Sequence, residues 1–224
     1  MKRKETKFYL GTILVLVSYY SIFNLVAKLD SVSQLSDFGF YGIQILLIII
    51  EGIAATVVLV NSQRWKEYGR FEFRWPYLAI FFLSFILMFL WVNITGQVFP
   101  STQNGSAIVK EVANLTGISY FITRILYGSL IAPIVEELVF RGLLMTALSK
   151  FKNYYLDVVV SSTLFSLIHV LQYGLVLTDF IVYAGAGLLF CMLFRYTRSV
   201  YWSIALHILW NTFLIIVSLL VFGY

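Results

Sequence analysis

Eight polar residues stand inside stretches that are otherwise apolar: Glu51, Arg124, Glu136, Glu137, Arg141, His169, His207 and Asn211. They include both histidines of the chain. Ionisable groups in a hydrocarbon setting cost about 2.5–3.5 kcal/mol each on insertion scales, so they usually face a bundle interior or a watery cavity. Spacing organises the set. Glu137 and Arg141 are four residues apart with the acid first, the favourable order for an ion pair along one helix face. Glu136 is turned about 100° from Glu137, which lets it point into a cavity while its neighbour is neutralised. His207 and Asn211 share a face one helical turn apart, and Phe165 and His169 repeat that spacing, setting a ring beside an imidazole.

A carboxylate and imidazoles around a water are the parts of a hydrolase: a base to deprotonate the water, and donors or a metal to hold the developing oxyanion. Two neutral imidazoles with an oxygen ligand could also bind zinc and leave a position open. The H-E-x-x-H pattern is absent, and the histidines are 38 residues apart, so spacing leaves the metal as one option. No serine lies in a G-x-S-x-G turn. Asp30, Asp37, Asp157 and Asp179 all fall at loops or at the ends of apolar stretches, which removes an aspartate dyad. Glu51 has no partner at helical spacing, and Arg124 is expected to snorkel or to pair with it; both read as packing residues.

The elements that must position these groups are membrane spans. The 224 residues are 60% hydrophobic and 12% charged, with a mean hydropathy of +0.88, which excludes an ordinary soluble domain. The expected fold is all-α, a polytopic transmembrane helical bundle. Stretches long enough to cross a core of about 30 Å fall at 8–27, 38–60, 76–95, 118–148, 154–177, 180–194 and 200–222. The sixth is short. The fourth is long, and reads as a span with an interfacial helix before it or a span broken at Pro133, which lacks a backbone donor.

Charge tests this division. Lys2, Arg3, Lys4, Lys7, Arg64, Lys66, Arg70, Arg74, Lys150, Lys152, Arg195 and Arg198, twelve of the 16 basic residues, fall on one side, while the alternate loops hold only Lys28 and Lys110. Seven spans with the N-terminus cytoplasmic satisfy the positive-inside rule at every loop. The basic "MKRKETK" flank precedes an apolar run that is long for a signal peptide, and "NLVAKLD" is a poor cleavage site, so an uncleaved first span is expected. The positive charge follows from topology; no basic patch with interleaved aromatics points to nucleic acid. Cys191, the single cysteine, reads as a packing residue. At about 1.5 Å per residue from the cytoplasmic ends, Glu136, His169 and Asn211 lie about 16–22 Å deep and His207 about 10 Å, so they can meet in one cavity.

"EELVFR" (Glu136 to Arg141), "FSLIH" (Phe165 to His169) and "HILWN" (His207 to Asn211) resemble, in order, the EExxxR, FxxxH and HxxxN motifs of the CAAX-protease and bacteriocin-processing (CPBP) family of intramembrane proteases, which includes type II CAAX prenyl endopeptidases and bacterial Abi proteins linked to bacteriocin self-immunity. The likeness covers about residues 120–215 and implies a four-helix catalytic core, here 118–224, behind three N-terminal spans in 1–117. It implies an intramembrane endopeptidase, commonly called a metalloprotease, in a bacterial cell membrane. Glu136 would be the general base, working with His169 on the water. His207 and Asn211 would stabilise the oxyanion, or His169 and His207 would hold a divalent metal such as zinc. Glu137 and Arg141 would orient the site, and Phe165 would pack its wall. The partners implied are membrane lipid and a membrane-associated peptide or protein. A non-catalytic immunity or scaffold protein of the same fold is the alternative, and a proton-coupled transporter using Glu and His as a relay is a third. The "YAGAGLL" run of the sixth span reads as close helix packing, or as a lateral route for substrate.

Overall fold

The computed structural model describes residues 2–26, 35–62, 65–99, 106, 117–171 and 174–222. Among these there is no strand. Among the described residues there are seven long helices: α1 (Lys2–Val26), α2 (Asp37–Asn61), α3 (Trp75–Val98), α4 (Gly117–Met145), α5 (Leu156–Leu171), α6 (Leu177–Thr197) and α7 (Val200–Phe222). A one-turn helix, Trp65–Tyr68, precedes α3, and a 3-10 segment, Leu148–Tyr154, precedes α5.

Local sequence sets the ends of these helices. Ser36 caps α2 by accepting from the Gly39 backbone N–H, satisfying one of the donors a helix start leaves open. Pro76 occupies the first turn of α3, where a missing N–H costs nothing. Five helices, α2, α3, α4, α6 and α7, are long and apolar enough to cross a membrane among the described residues, and α5 with its 3-10 segment makes a sixth if that bent pair is one span. The protein is an integral, multi-pass helical membrane bundle. Ala27, the end of the first expected span, together with Lys28, Arg64 and Lys110 of the expected loops and Gln172 and Tyr173 of the expected fifth span, lies outside the described residues.

Three expectations about spans are corrected. The fourth stretch is one continuous helix, neither broken at Pro133 nor split into an interfacial helix and a span. It absorbs the proline by widening: Phe121–Ile131 and Leu138–Met145 are wound in π turns on either side of Ala132–Glu137, and Pro133 sits where the α-helical turns resume. The sixth span is not short. It runs 21 residues, because Asp179 and Arg195, which trimmed the apolar window, are inside the helix. The fifth helix runs 16 residues: the chain bends by 110° at Tyr155, which takes a left-handed conformation, and residues 174–176 are not helical. Arg195 clamps that bend: its guanidinium bonds Asp157 at 3.3 Å and the Lys152 carbonyl at 3.1 Å and lies over the Tyr155 ring.

α4 is the central element. It packs against α1, α2, α5 and α7, and residues 135–145 are all buried, with Val139, Phe140, Arg141 and Leu143 fully so, so that stretch has no lipid-facing side. α6 lies across α5 and α3 and touches α7. The glycine pair in "YAGAGLL" serves this packing. A Cβ on Gly185 would fall 2.1 Å from the Trp91 indole nitrogen, and one on Gly187 would press on Ser162 and Phe165 at 3.2 Å. Trp91 donates to the Val182 carbonyl across the same contact. Side chains close this seam, in keeping with the close helix packing expected of the run.

Candidate active site

Glu136 stands at the meeting point of four helices. Its two oxygens have different surroundings. Oε1 accepts a hydrogen bond from the Tyr19 phenol of α1 at 3.2 Å. Oε2 faces His169 Nε2 of α5 and His207 Nε2 of α7, each at 3.8 Å. That separation is too long for a direct hydrogen bond and short enough for one water to touch all three atoms. The carboxylate and the His207 ring are nearly closed off, while His169 keeps 22% of its side chain accessible, so the site opens past His169.

The far nitrogens of both imidazoles are fixed. His169 Nδ1 reaches back one turn to the Phe165 carbonyl at 2.8 Å. A carbonyl only accepts, so Nδ1 carries the proton and the Nε2 lone pair is turned toward Glu136. His207 Nδ1 lies 3.0 Å from Glu137 Oε1, and the carboxylate imposes the same tautomer. Aromatic rings hold the planes: Tyr183 stacks on His169 at 4.6 Å and Phe190 on His207 at 4.4 Å. Phe165 touches both imidazoles, at 4.5 and 5.8 Å between ring centres.

Beneath the imidazoles lies the ion pair that spacing suggested. Arg141 Nη1 bonds Glu137 Oε1 at 2.9 Å, and both side chains are fully buried. Nη2 donates to the Gly187 carbonyl at 3.0 Å. The guanidinium is roofed by Phe165 and Phe190, with Cζ 4.6 and 5.1 Å from their ring centres, an arrangement that compensates part of the cost of a buried cation. Glu137 therefore has two duties. One oxygen serves Arg141 and His207 together, so the pair that neutralises the carboxylate also orients an imidazole.

Asn211 is placed differently from its motif partner. Its amide donates to the Gly128 carbonyl at 2.8 Å, and the next residue, Thr212, shares a hydrogen bond with Ser129. The reason lies in Pro133. In the i→i+5 register of the π segment the Gly128 carbonyl would meet the backbone nitrogen of residue 133, and proline has no N–H to give. Asn211 supplies the missing donor and ties α7 to α4. Of the two residues set aside as packing, Glu51 accepts from Ser18 of α1 at 3.1 Å. It makes no ion pair with Arg124, whose Nε is buried without a partner, so of the two expectations for Arg124 the pairing with Glu51 is not met.

A sequence model of the family described as type II CAAX prenyl endopeptidase Rce1-like matches residues 118–213, the segment that holds Glu136, Glu137, Arg141, Phe165, His169, His207 and Asn211. Over that segment the chain is similar to the CPBP family. Among its relatives, YdiL of Bacillus subtilis (strain 168), a membrane protein classed with the peptidases, is 30% identical over 95 residues, which are 42% of this chain and 37% of YdiL. The membrane-embedded CAAX protease MroQ of Staphylococcus aureus (strain USA300) is 27% identical over 201 residues, covering 80% of this chain and 74% of MroQ. The chain thus spans little more than a third of one relative and about three quarters of the other. Both relatives are bacterial, and this chain is a multi-pass protein of the bacterial membrane. No solved structure matches it significantly.

The three motifs omit four contributors. Tyr19 lies on a helix to which no motif points. Tyr183, Gly187 and Phe190 form an i, i+4, i+7 face on α6, a helical stripe that could have been read as the wall opposite the histidines. For a metal, the donor types fit: two neutral imidazole nitrogens and a carboxylate oxygen converge, and each imidazole is backed by an acceptor in the manner of ligating histidines. Nitrogen and oxygen ligands on one tetrahedral zinc stand about 3.3 Å apart, so the 3.8 Å separations are wider than a closed site needs. Among the described residues no three such side chains are yet gathered as a metal cluster.

Proposed function

We propose that this protein is an intramembrane endopeptidase that hydrolyses a peptide bond of a membrane-associated peptide or protein with a water activated by Glu136. The observation that carries the reading is the convergence of Glu136 Oε2 with His169 Nε2 and His207 Nε2 at 3.8 Å each. A water held there is deprotonated by Glu136, its remaining hydrogen directed to an imidazole lone pair, and its oxygen adds to the substrate carbonyl carbon. As the C–N bond breaks, the proton on Glu136 passes to the leaving amine. Water, proton and amine balance without a further reactant.

In this reading His207, backed by Glu137, steadies the developing oxyanion while the proton taken from the water is shared between Glu136 and its Nε2, in the way a carboxylate supports a catalytic imidazolium, before that proton passes to the amine. One N–H of Asn211 is committed to Gly128; its second remains for the oxyanion. A divalent metal such as zinc would be held by His169, His207 and Glu136, and would supply Lewis-acid polarisation of the water and the scissile carbonyl.

An apolar groove between α2 and α4, lined by Gly52, Ile53, Ile134, Val135 and Leu138 among others, brackets Glu136 in sequence and offers a place for an apolar substrate segment. The relative MroQ, named a membrane-embedded CAAX protease, supports a peptide or protein substrate; bacteriocin processing or self-immunity is the setting that the resemblance to Abi proteins suggests. The test uses purified protein in detergent, added to solubilised membranes of cells lacking it, with new N-termini labelled and sequenced. Wild type is expected to create a defined set of new termini, and correctly inserted Glu136→Ala and His169→Ala variants to create none. Full cleavage by either variant removes the reading.

A further inference from the structure

The catalytic motifs and the family match both lie in the C-terminal half, yet one side chain bonded to Glu136 comes from α1. Tyr19 is 6% exposed. Its phenol donates to Glu136 Oε1 at 3.2 Å, and its ring meets Phe140 edge-on at 6.2 Å. The residue before it, Ser18, donates to Glu51 on α2. Two adjacent residues of α1, about 100° apart around the helix, thus spend their hydroxyls on carboxylates of two different helices. A phenol this buried in a bundle interior is expected to find a partner, but the partner it finds is the base of the proposed reaction.

We propose that Tyr19 is a positioning residue for Glu136, and that the catalytic centre is therefore incomplete without the first helix. The last torsion of a glutamate is soft, with two nearly equivalent carboxylate orientations. A bond from Tyr19 to Oε1 selects one of them and leaves Oε2 as the oxygen that faces His169 and His207. The phenol acts through the carboxylate; it is not placed against the reacting water. It lies outside the matched residues 118–213, so the C-terminal core alone lacks the group that orients its base. The proposal rests on the reading of Glu136 as general base.

The test compares full-length wild type, Tyr19→Phe, Tyr19→Ala and Glu136→Gln in detergent. The activity probe is the set of peptides that wild type releases from solubilised membranes and Glu136→Gln does not. The Glu136 carboxylate stretching band is isolated by infrared subtraction of Glu136→Gln from wild type, and melting temperatures are recorded alongside. Tyr19→Phe keeps the ring on Phe140, so it is expected to melt like wild type, to release those peptides about tenfold more slowly, as loss of an outer-shell partner commonly does, and to shift the carboxylate band. A wild-type release rate, an unmoved band, or a fall in melting temperature as large as that of Tyr19→Ala overturns the positioning role. Absence of any Glu136-dependent peptide in wild type instead removes the parent reading, while the infrared shift still reports on the Tyr19 bond.

Discussion

His207 Nδ1 and Glu137 Oε1 are 3.0 Å apart, and the same oxygen receives Arg141 at 2.9 Å. One carboxylate oxygen thus joins the ion pair of α4 to the imidazole of α7. Removing Arg141 leaves a fully buried carboxylate without its counter-charge, which costs about 3–5 kcal/mol. Arg141→Ala is expected to lose that much stability in chemical unfolding. Arg141→Lys, which keeps the charge but not the fork that reaches both Glu137 and Gly187, is expected to lose less. Equal stability of Arg141→Ala and wild type would show that the pair does not hold the fold.

The tie between Asn211 and Gly128 exists, on this account, because residue 133 is proline. Asn211→Ala should orphan the Gly128 carbonyl at a cost of about 1–3 kcal/mol. In a Pro133→Ala background a backbone N–H becomes available at residue 133, and the same Asn211→Ala change should cost clearly less. A double-mutant cycle of unfolding free energies checks this; strict additivity of the two substitutions would separate Pro133 from Asn211.

Gly185 lets α6 approach α3 closely enough that a methyl group there would meet the Trp91 indole at 2.1 Å. Gly185→Ala is expected to destabilise by about 1–3 kcal/mol, the usual range for overpacking. Trp91→Leu, which removes most of the clashing ring, should recover part of that loss when combined with it, although the bond to Val182 goes too. Melting of the single and double variants in detergent decides; a neutral Gly185→Ala would mean that the seam is looser than its geometry.

Much of the site was legible in sequence because its parts obey helical spacing. Four residues separate Glu137 from Arg141, Phe165 from His169 and His207 from Asn211, and each pair does lie on one face. Polar residues surrounded by apolar ones also marked the interior, since lipid tolerates few of them. What could not be read depends on how helices meet. Tyr19 belongs to a helix whose other polar residues look like ordinary packing, and only the approach of α1 to α4 turns its phenol toward Glu136. The second duty of Glu137 required knowing where α7 lies. The π turns around Pro133 were hidden because a hydropathy window registers length and apolarity but not winding, so the long fourth stretch suggested a break instead of a wider helix. The 110° bend before α5 rests on a left-handed Tyr155, a conformation that tyrosine does not advertise.

The central claim is that Glu136 activates a water for peptide hydrolysis, and the measurement that meets it most directly is a comparison of membrane peptidomes from cells carrying wild type or Glu136→Gln at equal membrane levels. The glutamine keeps the shape and can still accept from Tyr19, but it cannot take a proton from water. The account predicts that a discrete set of cleavage products present with wild type vanishes with Glu136→Gln while its uncleaved precursors accumulate. An identical set of products in the two membranes would contradict it.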